Sequence, residues 1–327
     1  GKFTLLGPTA SVSGFYLGPI YYYLTLPFYW IWRDPVGPAI FVALIGITTV
    51  WLIWFVNKKW FGPVAGLFSA WTYASASLII RYSRASWNPN PLPFFSLLGL
   101  YWVTNGSHYK KIWQLVGAGI CLGIAWQLHY LALILTPIYI LIILAEAWSH
   151  HHSKSIKNIL LSLTICLLPF ILGWSISFSP FLAFEIRHHF PNTVSVVEFI
   201  TRPSGEVLRL EPIGFLRSIV RNFHRLFSNV LSWPNNTLSQ AVIIVVIFLG
   251  TITAIIKKRL SLIIWIFLSI AILSLYQGNI ENYYYGLLFP APFILAGISA
   301  EFLFRKSKFF QPLVVITAIL FSLNQSN

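Results

Sequence analysis

The 327-residue chain has no methionine, two cysteines and only eight acidic residues, and just 9% of its residues are charged. Each shortage excludes something. Cys121 and Cys166 both lie inside apolar runs, so they supply neither a disulfide framework nor a cysteine-based metal site and read as small core residues. So little charge, beside 57% hydrophobic residues and a mean hydropathy of +0.74, does not suit a soluble domain, which carries about a quarter charged residues. Disordered and fibrous classes are excluded on the same figures. The missing methionine removes the initiator, and the chain opens in what reads as the middle of a loop. The chain is therefore expected to be a fragment, with a processed product as the alternative.

What is present are recurrent apolar runs of about 17 to 22 residues, the length that crosses a bilayer as helix. They fall near 36–56, 62–80, 91–104, 112–127, 131–148, 158–178, 239–256, 261–276, 284–303 and 309–323. The expectation is an all-α fold, a polytopic transmembrane helical bundle of about ten spanning helices forming one membrane domain over 1–327. Residues 14–32, rich in Tyr, Trp and Pro, read as interfacial. The polar stretch 179–238 reads as an outer loop along the membrane, with Ile213, Leu216, Ile219, Val220, Phe223, Phe227 and Val230 at helical spacing beside an Arg217, Arg221 and Arg225 stripe.

The net charge of +14 raises nucleic acid as a partner, but in a membrane protein the first question is how the basic residues divide between the two faces. If ten helices alternate, Lys58, Lys59, Lys110, Lys111, Lys154, Lys157, Lys257, Lys258, Lys306 and Lys308 share one side and only Lys2 lies opposite. By the positive-inside rule that side is cytoplasmic. The other side collects nine of eleven arginines, Arg33, Arg81, Arg84, Arg187, Arg202, Arg209, Arg217, Arg221 and Arg225, with six of eight acids. Arginine's planar fork grips phosphate bidentately, whereas lysine acts as a point charge. The outer side thus reads as an anion-binding face, with chance sorting as the bland alternative. No nucleic-acid partner is expected.

Polar clusters sit at the outer helix ends. Gly18-Pro19-Ile20-Tyr21-Tyr22-Tyr23 offers Tyr22 to a substrate, although an aromatic belt explains the tyrosines equally well. Arg81 and Arg84, at i and i+3, can converge on a phosphate, and Trp87-Asn88-Pro89-Asn90 presents amides for sugar hydroxyls; simple capping is the alternative. Gln127-Leu128-His129-Tyr130 interrupts two apolar runs and needs protein or a cavity to face, or a satisfied structural hydrogen bond. Phe184-Glu185-Ile186-Arg187-His188-His189 is the densest ionisable cluster. A zinc site there is weak, because no His-x-x-x-His spacing occurs; a Glu that orients a His or accepts a proton, beside an Arg on phosphate, suits group transfer better. Glu281 and Tyr283 close a further outer terminus, where a plain loop charge explains Glu281 as well.

Taken in order, Leu5-Leu6-Gly7-Pro8, Gly18-Pro19-x-Tyr21-Tyr22-Tyr23, Arg84-x-x-Trp87-Asn88-Pro89-Asn90, Gln127-Leu128-His129-Tyr130 and Phe184-Glu185-x-Arg187-His188 resemble the dolichyl or undecaprenyl phosphate sugar transferases. More narrowly, the chain is similar to RgtA/B/C/D-like and protein O-mannosyltransferase-like proteins from Gly1 to about Gly297. The resemblance implies a GT-C fold, a polyprenyl-phosphate-linked sugar as donor, a glycan, lipid or protein acceptor, and surrounding membrane lipids. It also implies an acidic residue in the first outer loop, and that motif is absent here: Gly1 aligns with the later part of the loop, Asp34 sits too far beyond it, and the given sequence is inactive on that reading. Where relatives often read Asp-His-Tyr, this chain has Glu281-Asn282-Tyr283.

The site expected from residues and resemblance together has Glu185 and His188 as catalytic groups and Arg81, Arg84 and Arg187 on the donor phosphate. Tyr22, Trp87, Asn88, Asn90, Gln127, His129, Tyr130, Glu281 and Tyr283 are expected on substrate. The expected reaction is an inverting displacement at the anomeric carbon on the outer face of a bacterial plasma membrane, with the endoplasmic reticulum as the other location. No cofactor is certain; a divalent ion assisting the phosphate stays open, since no complete ligand set can be read. The alternative function is transport of lipid-linked saccharides.

Overall fold

The computed structural model describes residues 3–10, 14–149, 156–201, 208, 211–231 and 237–325. Lys2, Lys154, Arg202 and Arg209 lie outside them. The described residues form α1 (Ile20–Trp32), α2 (Val36–Trp60), α3 (Pro63–Ser75), α4 (Ser77–Ser83), α5 (Leu92–Tyr109), α6 (Ile112–Leu128), α7 (Leu135–Ser149) and α8 (Ile156–Arg187). They continue with α9 (Pro191–Ile200), α10 (Pro212–Leu231), α11 (Thr237–Ile256), α12 (Leu260–Ser274), α13 (Pro290–Lys306) and α14 (Phe310–Gln325). Short 3-10 turns, Tyr130–Ile134 and Asn282–Leu288, lead into α7 and α13.

This is an integral membrane helical fold. Four helical stretches are long and apolar enough to cross a bilayer alone: Val36–Trp60, Tyr130–Trp148, Lys157–Arg187 and Ser239–Ile256. Two more pass as bent pairs, α3 with α4 at 68° and the turn Asn282–Leu288 with α13 at 52°. The expected runs at 112–127, 261–276 and 309–323 appear as α6, α12 and α14, apolar but short of a full span, and α5 occupies the run at 91–104. On α8, Leu160, Leu161, Leu168, Ile171, Leu172 and Ile176 are 50–62% exposed. Such a row of exposed aliphatics is stable only against hydrocarbon.

One boundary differs from expectation. The helix expected to stop at 178 runs to Arg187, even though Pro169 and Pro180 lie within it. Ser179, where the expected polar stretch opens, folds its hydroxyl back onto the Ile176 carbonyl, as Ser177 does onto carbonyls of its preceding turn within the expected run. That is how helices hide such groups from lipid. The amphipathic helix expected at 213–230 is present as α10, with Leu226, Phe227 and Val230 buried and Arg217, Arg221 and Arg225 exposed.

The chain divides into two compact units, Gly1–Pro38 with Leu98–Ser218 and Ala271–Ile280, and Ala39–Leu97 with Ile219–Ile270 and Glu281–Asn327. The first is organised by α6 lying against α8. A Cβ on Gly119 would stand 2.7 Å from the Trp174 amide nitrogen, and one on Gly173 2.7 Å from the Val116 carbonyl carbon, so the helices meet backbone to backbone. Small residues at this spacing allow the close approach that dispersion between membrane helices requires.

In the second unit α13 packs on α3 and α11. Asn57 Nδ2 donates to the Ala65 and Ile294 carbonyls, both at 3.2 Å, tying α2 to α3 and α13. Buried Glu301 accepts the Ala65 N–H at 2.9 Å and so supplies from α13 the carboxylate that the N-terminus of α3 favours. The chain enters α3 through Gly62 at φ 139°, where a Cβ would collide with the Glu301 carboxylate. Gly62→Ala is therefore expected to lower stability in detergent by roughly 2–3 kcal/mol, combining strain with the collision. Gly14→Ala, at φ 70° with open space around it, should cost about 1 kcal/mol. Thermal unfolding of the two variants checks the difference, and equal losses would refute the role of the carboxylate.

Candidate functional site

In the first unit the site begins where α8 stops. His189 and Phe190 take left-handed conformations, φ 61° and 60°, and the Phe190 amide donates to the Glu185 carbonyl at 2.7 Å. This reversal aims the first turn of α9 back at the Glu185 side chain. Glu185 Oε1 accepts from Asn192 Nδ2 at 2.7 Å and from its amide at 3.3 Å; Oε2 accepts from the Thr193 amide at 2.9 Å and its hydroxyl at 2.7 Å. Phe190, at the N-cap position of α9, has no side-chain oxygen to offer, so the helix end takes its anion from the preceding helix. Asn192 Oδ1 in turn accepts the Tyr16 N–H at 2.7 Å, fastening the N-terminal segment. Glu185 is 2% exposed, while Arg187 and His188 face outward at the exposed helix end.

Gln127 and His129 sit nearby in chain order at the end of α6. Gly18 lies so close to the Gln127 side chain that no Cβ fits there, the physical reason for glycine in the Gly18-Pro19 pair. Gln127 Nε2 donates to the Gly123 and Ser177 carbonyls at 2.9 and 2.8 Å. Its buried Oε1 and the Trp174 Nε1 have no hydrogen-bond partner among the described residues. A crevice of about 340 Å³ borders this unit, walled by Tyr16, Trp126, Tyr130, Trp174 and Phe178 and reaching Glu185. Tyr22, predicted on substrate, is exposed on α1 at 44%.

His129 occupies the turn between α6 and the span that begins at Tyr130. Its ring nitrogen Nδ1 accepts the Leu131 N–H at 3.2 Å, and the ring stacks on Tyr130 with centroids 4.6 Å apart. Burial pulls its pKa down from 6.5 to about 4. Between these values the unfolded chain binds the proton and the folded one does not, so stability is unchanged above about 6.5 and falls towards pH 4, by up to about 3 kcal/mol. His129→Asn, whose Oδ1 can take over the Leu131 bond, is expected to flatten acid sensitivity of the melting temperature in that window. Identical profiles for the two proteins would refute this.

The second unit gathers the other predicted residues. Trp87 and Tyr283 meet edge to face at 4.6 Å, and Tyr82 lies 6.5 Å from Trp87 with the Arg81 guanidinium 5.8 Å over its ring. Asn90 Nδ2 donates to the Tyr82 and Ala85 carbonyls at 2.8 and 2.7 Å, which folds the Arg84–Asn90 turn and spends the amide on structure. Arg81, Arg84 and Glu281 are exposed, and Asn88 is half-buried. The arrangement is a small aromatic shelf with the Arg81 guanidinium and the Glu281 carboxylate as charged neighbours of Tyr82. Aromatic faces pack sugar C–H groups, and the forks bind phosphate.

Residues that the sequence reading did not name as site residues join this group. Tyr285 Oη donates to Asn222 Oδ1 at 3.0 Å, both buried, and Arg221 and Arg225 are charged neighbours of Tyr285. Asn229 Nδ2 donates to Asn282 Oδ1 at 2.8 Å. The arginines were visible as an amphipathic stripe, and the signal missed was Asn222, a polar residue four positions after Ser218 on the inward side of α10. Among the described residues no three His, Cys, Asp or Glu side chains come together to hold a metal ion.

Residues 19–174 match the family model of dolichyl-phosphate-mannose-protein mannosyltransferases. Among curated proteins none matches this sequence. Solved structures share the fold. ArnT from Cupriavidus metallidurans, bound to undecaprenyl phosphate, aligns over 96% of this chain and 58% of its own, with a TM-score of 0.60 and 15% identity. The Archaeoglobus fulgidus oligosaccharyltransferase with Zn and sulfate aligns over 96% of this chain and 45% of its own, with a TM-score of 0.53 and 15% identity. AglB from Archaeoglobus fulgidus, with an inhibitory peptide and a dolichol-phosphate, covers 99% and 47%, with a TM-score of 0.51 and 13% identity. This chain therefore spans little more than half the length of ArnT and less than half of the two oligosaccharyltransferase chains. At these identities the likeness fixes the fold, the GT-C fold that the resemblance implied.

Proposed function

We propose that this chain, with its GT-C glycosyltransferase fold and its family match over residues 19–174, transfers a sugar from a polyprenyl-phosphate donor to an acceptor on the outer face of a bacterial plasma membrane, with inversion. The observation that carries the reading is the family match, which includes the Arg84–Asn90 turn and the Gln127–Tyr130 interruption. The structures of ArnT with undecaprenyl phosphate and AglB with a dolichol-phosphate support a lipid phosphate as the donor's carrier.

The chemistry follows from charge. The acceptor oxygen attacks the anomeric carbon, the bond to the phosphate oxygen breaks, and that oxygen leaves with the electron pair as negative charge grows on the phosphate. Exposed Arg81 and Arg84 can stabilise that charge, and their forks need no proton transfer to do so. Trp87 and Tyr283 offer the sugar an aromatic shelf. In the first unit, taken by itself, Glu185 holds the turn after α8 that carries the exposed Arg187 and His188.

Sugar release from radiolabelled polyprenyl-phosphate sugars by the full-length protein in liposomes tests the reading. Arg84→Ala is expected to lower turnover about 100-fold while thermal stability is kept, the usual loss for one donor to a developing anion. Absence of transfer together with movement of lipid-linked saccharide across the bilayer would replace the enzyme by a transporter.

A further inference from the structure

The lysine-bearing end of the second unit holds a hollow that the proposed transfer reaction does not use. It measures about 360 Å³ and is lined by Phe61, Thr253, Lys257, Phe302, Arg305 and Lys306 around Glu301. Three cations surround one carboxylate, and that carboxylate is engaged: Glu301 accepts the Ala65 N–H and the Arg305 guanidinium Nε–H. Among the described residues neither Lys257 nor Lys306 is paired with an acid; Lys306 Nζ sits 5.6 Å over the Phe302 ring. Cations at the ends of α11 and α13 complement the helix dipoles. Dipole complementation needs no concave space between them, however, and here there is one. The neighbouring surface is apolar and open, with Ile252, Ile255, Ile256 and Phe302 between 37% and 69% exposed.

We propose that this hollow binds the phosphodiester headgroup of an anionic glycerophospholipid, with Lys257 and Lys306 on the phosphate and the acyl chains along the exposed isoleucines of α11. A doubly uncompensated basic hollow next to lipid-facing aliphatics fits an amphiphile better than a soluble anion, which has no use for the apolar flank. Basic pockets at the cytoplasmic ends of membrane helices take anionic headgroups for this reason.

The test uses purified full-length protein in nanodiscs of phosphatidylcholine alone or mixed with phosphatidylglycerol, with retained phosphatidylglycerol counted by native mass spectrometry after transfer to detergent. Lys257→Gln with Lys306→Gln is expected to reduce retention roughly 10- to 30-fold, the loss of two near-surface lysines. Lys257→Arg with Lys306→Arg should retain the lipid, as should Lys110→Gln with Lys111→Gln, a pair outside the hollow. Unchanged retention in the glutamine pair overturns the proposal, and so does equal loss in the Lys110 and Lys111 pair, which would mean diffuse surface attraction. Stabilisation of the wild type by inorganic phosphate in pure phosphatidylcholine discs, equal to that given by phosphatidylglycerol, overturns the lipid as ligand in favour of a soluble anion. Hydrogen exchange of the wild type gives a readout that needs no variant: amides of 253–257 and 301–306 should slow in phosphatidylglycerol discs, and equal exchange in the two lipids overturns the site.

Discussion

Glu185→Ala is expected to remove about 3–5 kcal/mol of stability, because two amides, one hydroxyl and one carboxamide lose their common acceptor at the first turn of α9. Each buried donor left without a partner costs about 1–3 kcal/mol, and relaxation around a shared acceptor keeps the total below the sum. The Tyr16 bond to Asn192 should loosen with it, since Glu185 Oε1 holds the Nδ2 of the same Asn192 carboxamide. Glu185→Gln keeps the size but turns one acceptor into a donor facing donors, so it is expected to cost nearly as much. Thermal unfolding in detergent, paired with hydrogen exchange of α9, checks this. If Glu185→Gln abolishes sugar transfer while leaving the melting temperature and α9 exchange untouched, the carboxylate acts on substrate and the anchoring role fails.

Gly119→Leu is expected to be at least as damaging. Its side chain would have to enter space filled by the Phe170 and Trp174 backbone, and backbone cannot swing aside as a flexible side chain does. Either α6 and α8 separate or the mutant backbone distorts, and a loss of about 3 kcal/mol or more follows. Because α6 carries Gln127 and α8 carries Glu185, the same change should disturb both. Gly119→Ala should produce a smaller loss in the same direction. The same leucine at Gly14, where the space is open, gives the comparison that isolates packing from backbone freedom. A fully folded Gly119→Leu protein with unchanged melting would show that the contact between these helices is not what holds the first unit together.

Much of the fold was legible because bilayer physics is written one residue at a time. A run such as 36–56 must be helix and must be long, since hydrocarbon leaves backbone groups no other partner. The α10 stripe was equally legible, because period and polarity sit together within one helix. Less legible was the extension of α8 past 178 to Arg187, where Ser179, at the start of the polar stretch, bonds back to its own helix. The break between α3 and α4 is a further case. No glycine or proline marks it, and Ser77 meets Gln325 at 3.0 Å from the far end of the chain, so the signal for the break is not local.

The candidate site divides the same way. Types and order of residues came from the chain: arginines apart from lysines, Trp87 with Asn88 and Asn90, the ionisable cluster after α8, and their resemblance to lipid-phosphate sugar transferases. What each side chain is bonded to came from the fold alone. Asn90 reads as a sugar ligand in one dimension, while in three it spends its carboxamide on two carbonyls of its own turn. Tyr285 and Asn222, 63 positions apart, meet only in the folded chain.

The sequence by itself therefore determined the solvent of this protein, the α-helical class and the family it resembles, because these depend on composition and short-period patterning. Tertiary structure decided that Glu185 is anchored by Asn192 and Thr193, that Glu301 caps a helix 236 positions earlier in the chain, and that Gly119 admits no side chain. The physical reason is that burial and hydrogen bonding are properties of neighbours in space, and no window of the sequence contains those neighbours.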